Sequence, residues 1–210
     1  MRVAIIGTGN VGSAIALGLK GKGHQLALGA RDPKAADVVA LANDTGAKAM
    51  SPEAAAAMGD VVVLALPWRV VESAVKTLGA LAGKTVIDCM NPLGMVDGTL
   101  GLTVGHSSSG GEIVQGWLPA AHVVKTLNQV GAEMMAKNDC LPHRPCMFMA
   151  GNDDQAKAVV ATLLADLGFA AFDAGDITKA RLLEPFGMVW INQALVRGKG
   201  RNWAFAAVEG

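Results

Sequence analysis

Tyrosine is absent from this chain of 210 residues, and Trp and Phe bring the aromatic share to only 4%. A hydrophobic fraction of 51% must therefore pack as Ala, Val, Leu, Ile and Met, the composition of a soluble α/β protein. Charge is equally sparse. Only 17% of residues are charged, and 18 basic side chains offset 18 acidic ones to leave a formal net charge of +0. Without a basic run or interleaved basic and aromatic residues, nucleic acid is not an expected partner. No apolar stretch is long enough for a membrane span, so no membrane partner is expected either. The 3 cysteines are an odd number and lack C-x-x-C spacing, which excludes a disulfide framework and fits a reducing compartment. No signal-peptide pattern precedes the first strand, and the cytoplasm is the expected location.

What the chain does have comes first: MRVAIIGTGNVG. Val3 to Ile6 is a short β-branched run of the kind that a buried parallel strand needs, and Gly7, Gly9 and Gly12 follow at G-x-G-x-x-G spacing. A helix-like segment, Ser13 to Leu19, comes next. In such a strand-loop-helix, Gly7 permits the turn, Gly9 lets backbone approach a pyrophosphate, and Gly12 lets the helix pack on the strand. Unpaired amides at the helix start then face the anion. The pattern reads as a dinucleotide site, with Thr8, Asn10 and Val11 filling the loop, against the alternative of a fortuitous glycine turn.

Strands and helices alternate from there, which predicts a Rossmann-type, doubly wound, mostly parallel α/β sheet. Residues 1–174 read as the dinucleotide-binding domain and 175–210 as a small C-terminal helical extension packing on it. Gln25 to Gly29 is the second strand and ends Gly29-Ala30-Arg31, with Lys34 close behind. An acidic residue at this strand end binds the 2′-hydroxyl of NAD, whereas Arg accommodates the 2′-phosphate of NADP. Arg31 with Lys34 points to NADP, and Asp32 lies one position beyond the Arg. The alternative is that both cations only solvate a helix start. Ser51 caps a helix with Pro52 at its first position. The buried strand Val61 to Leu66 ends at Pro67 beside the nicotinamide half, and Trp68 is either a wall over the cofactor or a core-packed helix start. Asn91 and Asn128, each just past a strand, fall on the edge where open parallel sheets bind ligands. Between them, Leu93 to Gly111 reads as an irregular, glycine-rich loop over the substrate side.

GTGNVG, the GAR strand end, ALPW, VVKTLN, MFMAGNDDQAKAVV and GFAAFDAGDITKARLLE together resemble the reductases that pass hydride between NADP and coenzyme F420. They are also similar to the cytoplasmic NADPH-oxidising domains of the STEAP metalloreductases. The resemblance runs over almost the whole chain. It implies that Thr8, Gly9, Asn10 and Val11 hold the pyrophosphate, that Ala30, Arg31 and Lys34 hold the 2′-phosphate, and that Leu66 and Pro67 line the ribose and nicotinamide. NADP(H) is the implied cofactor, and F420 or a flavin the implied acceptor.

Hydride transfer between two ring cofactors asks the protein mainly for placement, and no Ser-His-Asp set or carboxylate pair stands out. If the acceptor is instead a small carbonyl or imine, Lys125 is the candidate proton donor, although its alternation within VVKTLN fits a structural role as well. A non-catalytic NADP(H) sensor is a third reading. Cys140, His143 and Cys146 lack a fourth ligand, so no metal site is expected. A kink is expected at Pro185 within a helix from Thr178 to Leu195. The terminal helix and the tail Gly200 to Val208, with Trp203 and Phe205, either cover the cofactor edge or pair two subunits, and the tail aromatics, read as exposed, point to a homo-oligomer, a dimer.

Overall fold

A computed structural model of the chain describes residues 1–208. The last two residues of the expected extension, 209 and 210, lie outside the described residues. The first strand β1 (Arg2–Ile6) feeds α1 (Asn10–Gly18), and β2 (Gln25–Gly29), α2 (Ala36–Thr45), β3 (Lys48–Met50), α3 (Pro52–Met58), β4 (Val61–Leu64), α4 (Trp68–Val75) and β5 (Thr85–Asp88) continue the alternation. Two short strands, β6 (Leu93–Val96) and β7 (Thr99–Leu102), precede α5 (Gly110–Trp117) and β8 (His122–Lys125). Then follow α6 (Ala132–Ala136), β9 (Cys146–Gly151), α7 (Asp154–Asp166), β10 (Ala170–Asp173) and α8 (Ala180–Ile191).

Eight strands form one sheet in the order β10-β9-β8-β5-β4-β1-β2-β3. All neighbours run parallel except β8 and β9, which pair antiparallel through Val124 with Gly151 and Lys125 with Ala150. The expected doubly wound, mostly parallel α/β sheet is therefore present. Its central strands β1, β2, β4, β5 and β8 are buried on both faces, as the unbroken apolar runs require, while the edge strands β3 and β10 are partly exposed. In β1, Val3 and Ile5 pack with Ile15 and Leu19 of the α1 side, while Ala4 and Ile6 pack with Ala55, Val71 and Val75 on the other. Each fully buried Val, Leu or Ile contributes about 1.5–3 kcal/mol.

Two expectations need correction. Leu93 to Gly111 is not wholly irregular, because β6 and β7 form an antiparallel hairpin with Val96 opposite Thr99. Its two-residue turn is Asp97-Gly98, both at positive φ (51° and 78°), the backbone that a two-residue hairpin favours. The tail aromatics are not left to solvent either. Trp203 stacks on Trp190 with ring centroids 5.7 Å apart, Phe205 packs on Phe186 at 4.5 Å, and the Phe205 carbonyl accepts the Cys146 amide at 2.9 Å. The tail thus covers one end of the chain's own sheet. At the other expected irregularity, α8 runs through Pro185 without ending and passes into a π-helical turn, Asn192–Val196.

Candidate functional site

The glycine loop sits at the C-terminal ends of β1 and β4, where the strand order reverses direction around β1. Each glycine does a different job. Gly7 holds φ 102° and donates to the Gly29 carbonyl at 3.0 Å, which straps the loop to β2. A Cβ at Gly12 would lie 1.9 Å from the Gly7 carbonyl oxygen, so the start of α1 packs against the loop with no room for a side chain. Gly9 is the opposite case: a Cβ there meets nothing within 4 Å. Its bare backbone faces open space, the cradle that a close-approaching phosphate needs. Ser13 is the first helical amide to reach a carbonyl, that of Gly9 at 2.9 Å, and first-turn amides before it have no intrahelical partner.

Two cavities flank this loop. One of about 660 Å³ is lined by Gly7, Thr8, Gly9, Ala30, Arg31, Leu66 and Pro67, and beyond them by α4. The second, about 630 Å³, is lined by Gly9, Asn10, Val11, Leu66, Pro67, Trp68, Cys89, Met90, Asn91 and Leu93. The two cavities share lining residues at Gly9, Leu66 and Pro67, so they adjoin along one cleft. Of the candidate residues, Gly12, Lys34, Asn128 and Lys125 line neither cavity. Gly12 is packed behind the loop. Lys34 is exposed next to Arg31, and its amide donates to the Asp32 carboxylate at 3.0 Å. That carboxylate is thus occupied in closing its own turn.

Asn128 acts at one remove. Its amide donates to Asn91 Oδ1 at 2.9 Å and to the Leu183 carbonyl at 2.9 Å, while Asn91 donates back to the Asn128 carbonyl at 2.8 Å. Gly187 of α8 lies so close that a Cβ would approach the Asn128 carbonyl to 2.6 Å. The C-terminal helix is thereby locked onto the wall of the second cavity. Trp68 lines that cavity and also stacks on Trp117 with centroids 5.8 Å apart.

Lys125 is fully buried, with its ammonium 3.1 Å from Asp88 Oδ2 and 2.9 Å from Glu184 Oε1, and it also donates to the Met90 carbonyl. Burial by itself would lower its pKa, but the two carboxylates outweigh it and hold the ammonium above its ordinary value. Glu184 also accepts the amides of Gly110 and Gly111 at 2.9 and 3.0 Å, and Asp88 accepts that of Met90 at 2.9 Å. In this geometry Lys125 and its two carboxylates tie β8, β5, α5 and α8 together. Cys89 lines the second cavity. Burial and the neighbouring Asp88 charge push its thiol up to about 12, and it donates to the Leu64 carbonyl at 3.0 Å. It is a packed thiol and not a nucleophile at neutral pH.

Sequence reasoning missed the α4 side of the cleft. Arg69, Ser73 and Thr77 all line the first cavity, and their four-residue spacing directly after ALPW was the available signal.

The family model for NADP oxidoreductase, coenzyme F420-dependent, matches residues 2–92. A solved structure from Arthrobacter sp. FB24, provisionally assigned as an F420-dependent NADP-reductase, is 35% identical over 100% of both chains, with a TM-score of 0.90. The chain belongs to this family. Metalloreductase STEAP3 of Rattus norvegicus is 27% identical over 87% of the chain, which spans only 36% of that relative's length. An Aspergillus terreus imine reductase solved with NADPH4 and dibenz[c,e]azepine is 20% identical, with a TM-score of 0.69 over 94% of this chain and 63% of that one, and shares the fold. As a member of the NADP oxidoreductases, the chain has NADP(H) as its cofactor, and its glycine loop and open Gly9 backbone fit that group. No described helix is long and apolar enough to cross a membrane.

Proposed function

We propose that this NADP oxidoreductase transfers hydride between NADP(H) and a second ring cofactor, F420 or a flavin, seated in the cavity lined by Trp68, Met90, Asn91 and Leu93. Residues 1–174 hold the dinucleotide, and the described part of the extension, 175–208, packs on them behind the acceptor-side wall through the Asn128 contact with Leu183. One observation carries the reading: the acceptor-side cavity is walled mostly by apolar and amide side chains, and among the described residues its only ionisable lining residues are Arg69 and Cys89. An arginine does not give up its proton, and the Cys89 thiol is engaged with Leu64. Reduction of a carbonyl or imine needs a proton at the developing alkoxide or amine, which neither supplies. Ring-to-ring transfer needs only close, parallel placement.

Bound NADPH supplies the hydride. The chain's own part is to fix the dinucleotide: Thr8, Gly9, Asn10 and Val11 at the pyrophosphate, and Ala30, Arg31 and Lys34 at the 2′-phosphate. Leu66, Pro67 and Asn91 line the nicotinamide side, with Asn128 behind Asn91. We place the enzyme in the cytoplasm, where the free thiols of Cys89, Cys140 and Cys146 stay reduced. We also propose a homodimer. The support is the apolar side chains left exposed on the hairpin, on the first turn of α8 and on the π-helical turn, with Met95 70% exposed, Leu182 64% and Val196 65%. A monomeric mass by light scattering rejects the dimer.

The activity is tested by following NADPH oxidation with F420, FMN, FAD and a panel of carbonyls and imines, with NADH as control donor. Turnover with F420 or a flavin is the expected result. Turnover confined to the carbonyl or imine panel overturns the reading, and tight NADPH binding without any turnover makes the protein a sensor.

A further inference from the structure

Five residues line both cavities of the cleft: Gly9, Ala65, Leu66, Pro67 and Arg69. Four of them are apolar or glycine. Arg69 is therefore the single charge at the waist where one cavity meets the other. It is the second residue of α4, and the same helix continues along the first cavity with Val70, Ser73 and Ala74, followed by Thr77 in the turn beyond it. The Trp68 indole next to it is fixed by its stack on Trp117, which settles where the helix begins.

The guanidinium has no other employment. Arg2, Arg181 and Arg201 are each paired with a carboxylate, on Asp60, Glu112 and Glu133, whereas Arg69 forms no ion pair or side-chain hydrogen bond among the described residues. An unpaired cation where the two cavities meet is a specific chemical statement. A dinucleotide carries its two phosphates between its two nucleosides, so a molecule laid through both cavities passes its pyrophosphate through this waist. Gly9 and the free amides of α1 meet it there. Arg69 lines the same stretch.

We propose that Arg69 is the pyrophosphate clamp of this site, closing over the phosphates alongside the glycine loop. The proposal rests on the NADP(H) reading above and adds a division of labour to it. Arg31 at the end of β2 addresses the 2′-phosphate, which only NADP(H) carries, while Arg69 addresses the pyrophosphate, which NADPH and NADH share. The planar guanidinium suits bidentate contact with phosphate oxygens, a match that an ammonium reproduces only as a point charge.

The test is calorimetric titration of NADPH and NADH into wild type, Arg69→Gln, Arg69→Lys and Arg31→Gln. Arg69→Gln is expected to raise Kd for both dinucleotides by a common factor of about tenfold or more, leaving their ratio unchanged, with Arg69→Lys recovering part of the loss. Arg31→Gln is expected to raise Kd for NADPH alone. Wild-type affinity in Arg69→Gln overturns the clamp, and a loss confined to NADPH overturns it too, because it reassigns Arg69 to the 2′-phosphate. If wild type itself binds neither dinucleotide, the NADP(H) reading fails first, and that outcome is visible before any variant is made. Because Arg69 is exposed, an unchanged melting curve separates lost binding from lost fold.

Discussion

Strands β1, β2 and β4, beside the glycine loop, bury only apolar side chains and glycine, whereas their neighbours β5 and β8 bring Asp88 and Lys125 to 0% exposure at the same depth. The first region is held by area removed from water and by backbone turns. The second is held by charges that each need the others. Area-driven packing tolerates single losses, because every methyl contributes separately. A buried ion cluster does not. Removing one member leaves the rest desolvated without compensation.

The sharpest way to break this contrast is Lys125→Met. It leaves Asp88 and Glu184 facing each other without a cation, and should cost about 3–5 kcal/mol in a denaturant titration. Ile5→Val in the apolar region should cost about 0.5–1.5 kcal/mol. Equal losses would show that the cluster is ordinary packing. Because Lys125 lines neither cavity but holds the Met90 carbonyl, the same variant should keep its NADPH affinity while the KM for the acceptor rises. The sign with pH also follows. The folded pKa of Lys125 is raised, so its contribution is complete below the unfolded lysine value and is lost as pH climbs through the higher folded one. Wild type should lose stability in strong alkali over a range in which Lys125→Met stays flat.

A smaller effect separates two glycines that the motif treats alike. Gly12→Ala drives a methyl into the Gly7 carbonyl and should cost about 1–3 kcal/mol along with NADPH binding. Gly9→Ala meets nothing in the protein, so its melting should stay within about 0.5 kcal/mol of wild type while NADPH affinity falls. If both variants melt alike, the loop is not divided between packing and ligand as the distances indicate.

The same contrast explains what could be read in the sequence. GTGNVG, the GAR strand end and the VVVLAL strand are contiguous, and their local backbone requirements show in residue type, so the cofactor side was legible to single residues. Asp97-Gly98 was equally local, a hairpin turn between Val96 and Thr99, and was passed over because the surrounding glycines resemble a loop. The ion cluster left no such trace. Lys125 gives no sign that Asp88, 37 residues away, is its partner, or that Glu184 reaches the Gly110 amide across 74. Trp203 and Phe205 misled for the same reason, because only the folded chain brings Trp190 and Phe186 beneath them. Arg69 was visible as a residue, but its place at the waist depends on where α4 lies against β1.

The least costly break lies at the same joint between α5 and α8, where Glu112 and Arg181 pair at 2.8 Å with part of each side chain in solvent. The hydrogen bonds from Arg181 hold the Glu112 carboxyl below its ordinary value, against the opposing pull of burial. Its contribution is present above the unfolded glutamate pKa and fades as pH falls through the folded one. Solvent screening limits such a pair to about 1 kcal/mol or less. Arg181→Met should therefore lower stability only slightly at neutral pH and flatten the acid limb of the stability curve, with no change in alkali. A loss as large as that of Lys125→Met would mean that α8 is held as much by its exposed pair as by its buried cluster. The distinction between the two regions of the sheet would then not extend to the helix that closes them.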